Sequence, residues 1–112
     1  MERTRVAEII QNILSVHPLF VHQPLAPSRE TVRVFDDVNG HYLLVALGWQ
    51  GQSRIYNTLI HIRLVEGKIW IEEDWTEEGI ADDLLKAGVP KEDVVLALQH
   101  PAMRPYTDFA VA

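Results

Sequence analysis

The feature that most constrains the fold of this 112-residue chain is a succession of four strand-like segments with only short turns between them. Each segment is rich in β-branched and aromatic residues, and the four span residues 31–35, 41–49, 54–65 and 68–74. The turns contain Asn39-Gly40, Gly51 and Glu66-Gly67, and the Asn-Gly pair predicts a type I′ hairpin turn. Because such turns leave no room for crossover helices, the sequence predicts an antiparallel meander.

Helical patterns flank these strands. In residues 5–15 the apolar side chains recur at intervals of three and four, which indicates an amphipathic helix. After the last strand we expect a helix that begins at Thr76, with the threonine hydroxyl as its cap and Glu77 and Glu78 in its first turn. Gly88 predicts its end.

The order of these elements predicts the fold class. Strands and helices are segregated along the chain, which is the α+β pattern and not that of alternating βαβ units. We therefore predict a single domain, residues 1–112, with a twisted antiparallel sheet of four to five strands and two to three helices packed on one face. Residues 94–98 read as a fifth strand or a buried helix, and residues 17–28, with three prolines, as a connecting loop.

The second strand-like segment is apolar on both of its faces. Alternate residues form two apolar sets, which are Leu43, Val45 and Leu47 on one side and Tyr42, Leu44 and Ala46 on the other. A strand of this kind is typically covered on both sides. We also expect Trp49 and Trp70 to be mostly core residues.

Composition excludes several functional classes. With no cysteine, the chain has no disulfide, thiolate metal site or thiol nucleophile, and a cytoplasmic location is expected. The net charge of −6 and the scattered basic residues argue against direct binding to a phosphate backbone, so any contact with DNA is expected to be indirect. The apolar stretch near the N-terminus is too short and too polar for a membrane span, and we expect neither a membrane association nor a cofactor.

Carboxylates concentrate at the end of the fourth strand-like segment. If His61, Glu72, Asp74 and Glu77 converged, they would form the site of a metal-dependent nuclease or hydrolase. An enzyme of this kind is the alternative functional hypothesis. Simple alternation instead places Glu72 and Asp74 on one face and Glu73 on the other, and the helix-start glutamates serve the helix dipole. We therefore predict no catalytic residue and no metal ligand.

Four apolar side chains are candidates for contact with a partner. Tyr106, Phe109 and Val111 lie on a C-terminal segment punctuated by prolines, which must either pack back on the sheet or lie against another chain. Trp75 lies at the turn that follows the fourth strand-like segment.

Several short motifs occur in a recognisable order. They are Leu47-Gly48-Trp49-Gln50-Gly51, Gly67-Lys68-Ile69-Trp70-Ile71, Asp74-Trp75-Thr76-Glu77, the run over residues 85–96, and the closing segment over residues 105–112. With these motifs at this spacing, the chain resembles the XisI family, the bacterial fdxN-element excision controlling factors. The resemblance extends over nearly the whole chain.

The resemblance implies a regulatory function. Proteins of this family are named for controlling the developmental excision of a DNA element that interrupts a nitrogen-fixation gene, while a separate site-specific recombinase cuts and joins the strands. They often accompany a XisH-like protein. The resemblance therefore implies an accessory or regulatory protein without a catalytic motif. Together with the acidic charge and the absence of a catalytic constellation, it leads to the hypothesis of a non-enzymatic protein that binds a XisH-like partner and also itself, as a homodimer or higher oligomer.

Overall fold

The computed structural model describes residues 1–23 and 28–112. Its elements, in chain order, are α1 (Arg3–Val16), α2 (Pro18–Val21), β1 (Arg29–Asp36), β2 (His41–Gln50), β3 (Ser53–Val65), β4 (Lys68–Asp74), α3 (Ile80–Lys86) and β5 (Val94–Val95). Two 3₁₀ segments, Lys91–Asp93 and Pro101–Tyr106, flank β5. Among the described residues, no helix is long and apolar enough to cross a membrane.

The five strands form one sheet in the order of the sequence, β1-β2-β3-β4-β5. Strands β1 to β4 pair antiparallel, as short turns require, which confirms the predicted meander and the α+β class. The choice left open for residues 94–98 is settled in favour of a strand, β5, of two residues. It pairs parallel to β4 because the chain crosses through α3 before it returns to the sheet edge.

The hydrophobic core lies between one face of the sheet and the helices α1 and α3. Both helices bury their apolar stripes there, and the sheet contributes alternate side chains from β2, β3 and β4. The fully buried members from the sheet are Tyr42, Leu44, Ile60, Ile62, Ile69, Ile71 and Val94, and those from the helices include Ile10, Leu14, Ile80 and Leu84. This face is called the helix face below, and the opposite side of β1 to β4 is called the open face.

The prediction of a type I′ turn at Asn39-Gly40 is wrong. Strands β1 and β2 pair as far as Asp36 and His41, so the connection has four residues, and within it only Gly40 has a positive φ. The Asp36 carboxylate organises this connection by accepting hydrogen bonds from the backbone N–H groups of Val38 and Asn39, each at 3.0 Å. The two-residue turn with two positive φ angles instead joins β3 to β4 at Glu66-Gly67.

The helix after β4 begins four residues later than predicted, at Ile80 instead of Thr76. Residues 76–79 form a turn in which the Thr76 hydroxyl accepts a hydrogen bond from the Gly79 N–H, and the side chain that caps Ile80 is Asp74. Glu77 and Glu78 therefore precede the helix, and its first turn carries Asp82 and Asp83.

The expected connecting loop at residues 17–28 contains a short helix, α2, in its first part. His17 caps it through a hydrogen bond from the Leu19 N–H to the imidazole Nδ1, and Pro18 stands at its first position, where proline lacks only an unneeded donor. Residues 24–27, which carry the other two prolines, lie outside the described residues.

Candidate functional site

A β-bulge divides the acidic residues of β4 between the two faces of the sheet. The pairing of β3 with β4 shifts between His61 and Ile62, so that Ile62 lies opposite Ile71 while His61 lies opposite Glu73, and Glu72 is the additional residue. Directly paired residues of an antiparallel sheet point to the same face. Glu73 therefore lies with His61 on the open face, and the expectation from alternation that Glu72 and Glu73 lie on opposite faces is wrong.

Asp74 pairs with the fully buried Ile60 and so points to the helix face, away from Glu72. Its carboxylate accepts hydrogen bonds from the backbone N–H of Thr76 at 2.9 Å, from the Thr76 hydroxyl, and from the backbone N–H of Ile80 at 2.7 Å. Both oxygens are thus used to hold the turn and the first residue of α3. The expectation that Asp74 shares a face with Glu72 fails because of the same bulge.

Glu72 and Glu73 are engaged separately on the open face. Glu72 accepts a hydrogen bond from Arg63 at 3.2 Å, and these two side chains form the one ion pair among the described residues. Glu73 accepts a hydrogen bond from the indole N–H of Trp75 at 2.9 Å. Glu77 is exposed in the turn before α3. No group of three or more potential metal ligands forms among residues 1–23 and 28–112, so the four residues of the alternative acidic site are not brought together.

Two histidines form a pair on the open face that the sequence did not reveal. The Nδ1 of His41 lies 3.0 Å from the Nε2 of His61, and one ring nitrogen donates a hydrogen bond to the other. Partial burial, followed by the proximity of His41, lowers the pKa of His61 below its ordinary value, against the opposing effect of Glu72. His61 therefore resists protonation in the folded protein.

The open face is largely apolar along β1 and β2. From the strand pairings, the apolar side chains there are Val32, Val34, Leu43, Val45, Leu47 and Trp49, and Tyr56 of β3 lies opposite Leu47. Within residues 1–23 and 28–112 the expectation that β2 is covered on both faces is not met, since Leu43 and Leu47 are only half-buried. The sequence signal for this apolar open face was the apolar character of both faces of β2, since the layer of helices covers only one of them.

An aromatic cluster closes one end of the open face. The guanidinium of Arg54 lies over the rings of Trp49 and Tyr56, at 5.3 and 5.8 Å from their centres. Trp49 is 48% exposed and Tyr56 is 67% exposed, so the expectation that Trp49 is mostly a core residue is wrong. Trp70 is half-buried on the same face, beneath the guanidinium of Arg104.

The C-terminal segment packs back along β5, at the edge of the sheet. The Ala110 N–H donates a hydrogen bond to the Val94 carbonyl at 2.9 Å, and Ala110 forms a bridge with Val95. Phe109 packs against the core, whereas Tyr106 is 84% exposed and Val111 projects outward. Trp75 is 63% exposed. Three of the four candidate interface residues are therefore available to a partner, and Phe109 has a structural role.

These observations define a class of protein. It is a small α+β protein in which helices cover one face of a meander, while exposed aromatic residues mark the open face and the turns around it.

Comparisons with known proteins identify the family within this class. The family model described as XisI protein matches residues 1–111, and the chain belongs to the XisI family. No curated protein gives a significant match.

Two solved structures are similar over nearly the full length of this chain. A XisI-like protein from Anabaena variabilis is 35% identical, with 98% of this chain and 95% of that chain covered and a TM-score of 0.82. The fdxN element excision controlling factor XisI from Anabaena variabilis is 33% identical, with the same coverage and a TM-score of 0.78. The resemblance inferred from the motifs is thereby confirmed.

Proposed function

We propose that this protein is a non-enzymatic accessory factor that controls the excision of a DNA element, and that it acts through contacts with other proteins. The observation that carries the proposal is its membership of the XisI family together with its likeness to the fdxN element excision controlling factor of Anabaena variabilis. In this role the strand chemistry belongs to a separate recombinase.

The arrangement of the acidic residues supports a non-enzymatic role. Metal-assisted phosphodiester chemistry needs several oxygen ligands around one point. Here Glu72 is paired with Arg63, Glu73 binds the Trp75 indole, and Asp74 caps α3 from the other face of the sheet. Each carboxylate already has a structural partner.

The charge of the chain supports an indirect role at DNA. A net charge of −6 repels a phosphate backbone, and binding to DNA requires basic side chains that release its counterions. The protein that binds DNA is therefore a partner, and we propose a XisH-like protein for this role. Trp75 and Tyr106 are the side chains that we propose to contact it, since exposed aromatic residues are the commonest anchors of protein interfaces.

Co-expression with a XisH-like protein from the same genome tests this proposal. We expect a stable complex, and we expect the double substitution Trp75→Ala and Tyr106→Ala to weaken it at least about tenfold. The matched control is Val38→Ala, because Val38 is 86% exposed in the β1–β2 connection and is not a candidate contact. If the two proteins elute separately at micromolar concentration and neither alters the stability or DNA binding of the other, the proposal is wrong.

A further inference from the structure

Along β1 and β2, the open face of the sheet does not have the composition of a surface that faces water. In an antiparallel sheet with one solvated face, that face carries mainly polar side chains. Here the central strand β2 presents Leu43, Val45 and Leu47 to the open side, and β1 presents Val32 and Val34 beside them. Five adjacent aliphatic side chains therefore lie on the side opposite the helices.

The exposed fraction of these side chains is smallest at the centre of the open face and larger at its periphery. Val45 lies at the centre and is already buried, because its neighbours on β1, β2 and β3 crowd it. Val34 on one side is 46% exposed, and Trp49 and Tyr56 at one end are about half or more exposed. Exposed apolar groups that adjoin a buried apolar centre form a contiguous patch, of the kind that marks an interface.

The charges on the open face indicate which partner fits. The pairings and the Arg63–Glu72 ion pair place four acids and three bases on this face, which are Glu30, Asp36, Glu72 and Glu73 against Arg54, Arg63 and Lys68. With Arg104, whose guanidinium lies over the Trp70 ring, the face carries four acids and four bases. It is thus formally neutral, and the whole net charge of −6 belongs to the remainder of the molecule. A second copy of the chain would be repelled at other surfaces but not at this one.

The size of the open face also suits a dimer. Four strands about 4.8 Å apart, over a length of about 30 Å, give a projected area of about 600 Å². Accessible area exceeds projected area because side chains protrude, so the face approaches the roughly 800 Å² per partner that a stable interface buries. A nucleic acid would instead need an excess of basic residues, which this neutral face lacks.

We infer that the open face binds the open face of a second copy of this chain. Two sheets packed face to face lie about 10 Å apart, with Val34, Leu43, Val45 and Leu47 of each copy forming a shared apolar layer. The same surface is used by both copies, as in a two-fold symmetric dimer. This inference concerns the chain alone and does not depend on a XisH-like partner.

Sedimentation equilibrium of the purified chain tests the inference. We expect a mass twice the 12.8 kDa of the chain at micromolar concentration. Val34→Asp places a charge in the apolar layer and is expected to raise the dimer dissociation constant at least roughly 30-fold. The matched control Val38→Asp introduces the same charge at the β1–β2 connection, outside the open face, and is expected to remain dimeric.

A second variant keeps the test decisive if Val34→Asp does not fold. Tyr56→Asp alters a more exposed side chain on the same face. This variant is expected to be folded by circular dichroism and monomeric by sedimentation equilibrium. A wild-type chain that stays monomeric overturns the inference. If, in addition, Val34→Asp weakens binding to a XisH-like protein or to single-stranded DNA, the open face binds that partner and not a second copy. A dimer that survives both substitutions in folded proteins also overturns it.

Discussion

Asp74 holds the turn between β4 and α3 through both of its carboxylate oxygens. One oxygen accepts hydrogen bonds from the backbone and the hydroxyl of Thr76, and the other accepts from the N–H of Ile80, the first residue of α3. These bonds satisfy a helix donor that otherwise lacks a partner. A residue that resembles a metal ligand in the sequence therefore has a structural role in the fold.

Replacing Asp74 by alanine is expected to lower the free energy of unfolding by about 2 kcal/mol, since a cap and two charge-assisted hydrogen bonds are lost together. Urea unfolding measures the change. Glu77→Ala is the matched control, because Glu77 is an exposed acid three residues away, and it is expected to change stability by less than about 0.5 kcal/mol. Equal effects of the two substitutions would contradict the capping role.

The lowered pKa of His61 predicts that the stability of the folded protein depends on pH. Burial and the neighbouring His41 lower the pKa of His61 in the folded protein, so between that pKa and the ordinary value of 6.5 the unfolded chain binds more protons. The stabilisation is complete above about pH 6.5 and is lost as the pH falls towards the folded-state pKa. We therefore expect Tm to fall as the pH is lowered over the interval below about 6.5.

Substitution isolates this contribution. His61→Gln is expected to reduce the slope of Tm against pH over that interval, whereas His22→Gln, at an exposed histidine in the turn after α2, is expected to leave the slope unchanged. The groups around His61 whose charges bear on its titration are His41, Arg63, Glu72 and Glu73. An unchanged slope in His61→Gln would show that another group titrates.

At the scale of elements, the C-terminal segment extends the sheet beyond β5. Its backbone bonds to Val94, and Arg104 both covers the Trp70 ring and donates hydrogen bonds to the carbonyls of Ala97 and Gln99. Phe109 is partly buried and packs against the core from this segment, while Tyr106 points away from it. The two aromatic residues, which the sequence presents as equivalent, therefore differ in role.

Alanine substitutions separate these roles. Phe109→Ala is expected to lower the free energy of unfolding by about 3 kcal/mol, because a packed ring is removed. Tyr106→Ala is expected to change it by less than about 0.5 kcal/mol, because the ring lies in solvent. Thermal or urea unfolding of the two variants gives the comparison. A stability loss in Tyr106→Ala as large as that in Phe109→Ala would contradict this assignment.

At the scale of the whole molecule, two surfaces of different character lie on either side of one sheet. The helix face is covered by α1 and α3, and the remainder of the chain carries the net negative charge. The open face is formally neutral and is apolar along β1 and β2.

A titration with Mg²⁺ or Mn²⁺ tests the alternative of a metal-dependent nuclease. A site occupied at millimolar metal raises Tm, because a ligand that binds only the folded state stabilises it by RT ln(1 + [L]/Kd). We expect no shift with either ion, since Glu72 and Asp74 lie on different faces and are already hydrogen-bonded, while Glu77 is exposed in the turn before α3. A saturable rise in Tm that is lost in Glu72→Gln would favour the enzyme.

The sequence determined the strands β1 to β4, the helix α1, the α+β class and the family. Period-two and period-3.6 patterns and short turns are local signals, and they fix elements before any packing is known. Residues 41–49 thus appear in the structure as β2 with one residue added, and residues 68–74 appear unchanged as β4.

Only the tertiary structure decided where the side chains of those elements point and what covers them. The bulge at Glu72 depends on how β3 pairs with β4, and this single additional residue sends Glu73 and Asp74 to the faces opposite those that alternation predicts. Likewise, the burial of Phe109 and the exposure of Trp49 depend on the single helical layer, which lies on one side of the sheet. Such outcomes result from contacts between segments distant in sequence, which local patterns do not encode.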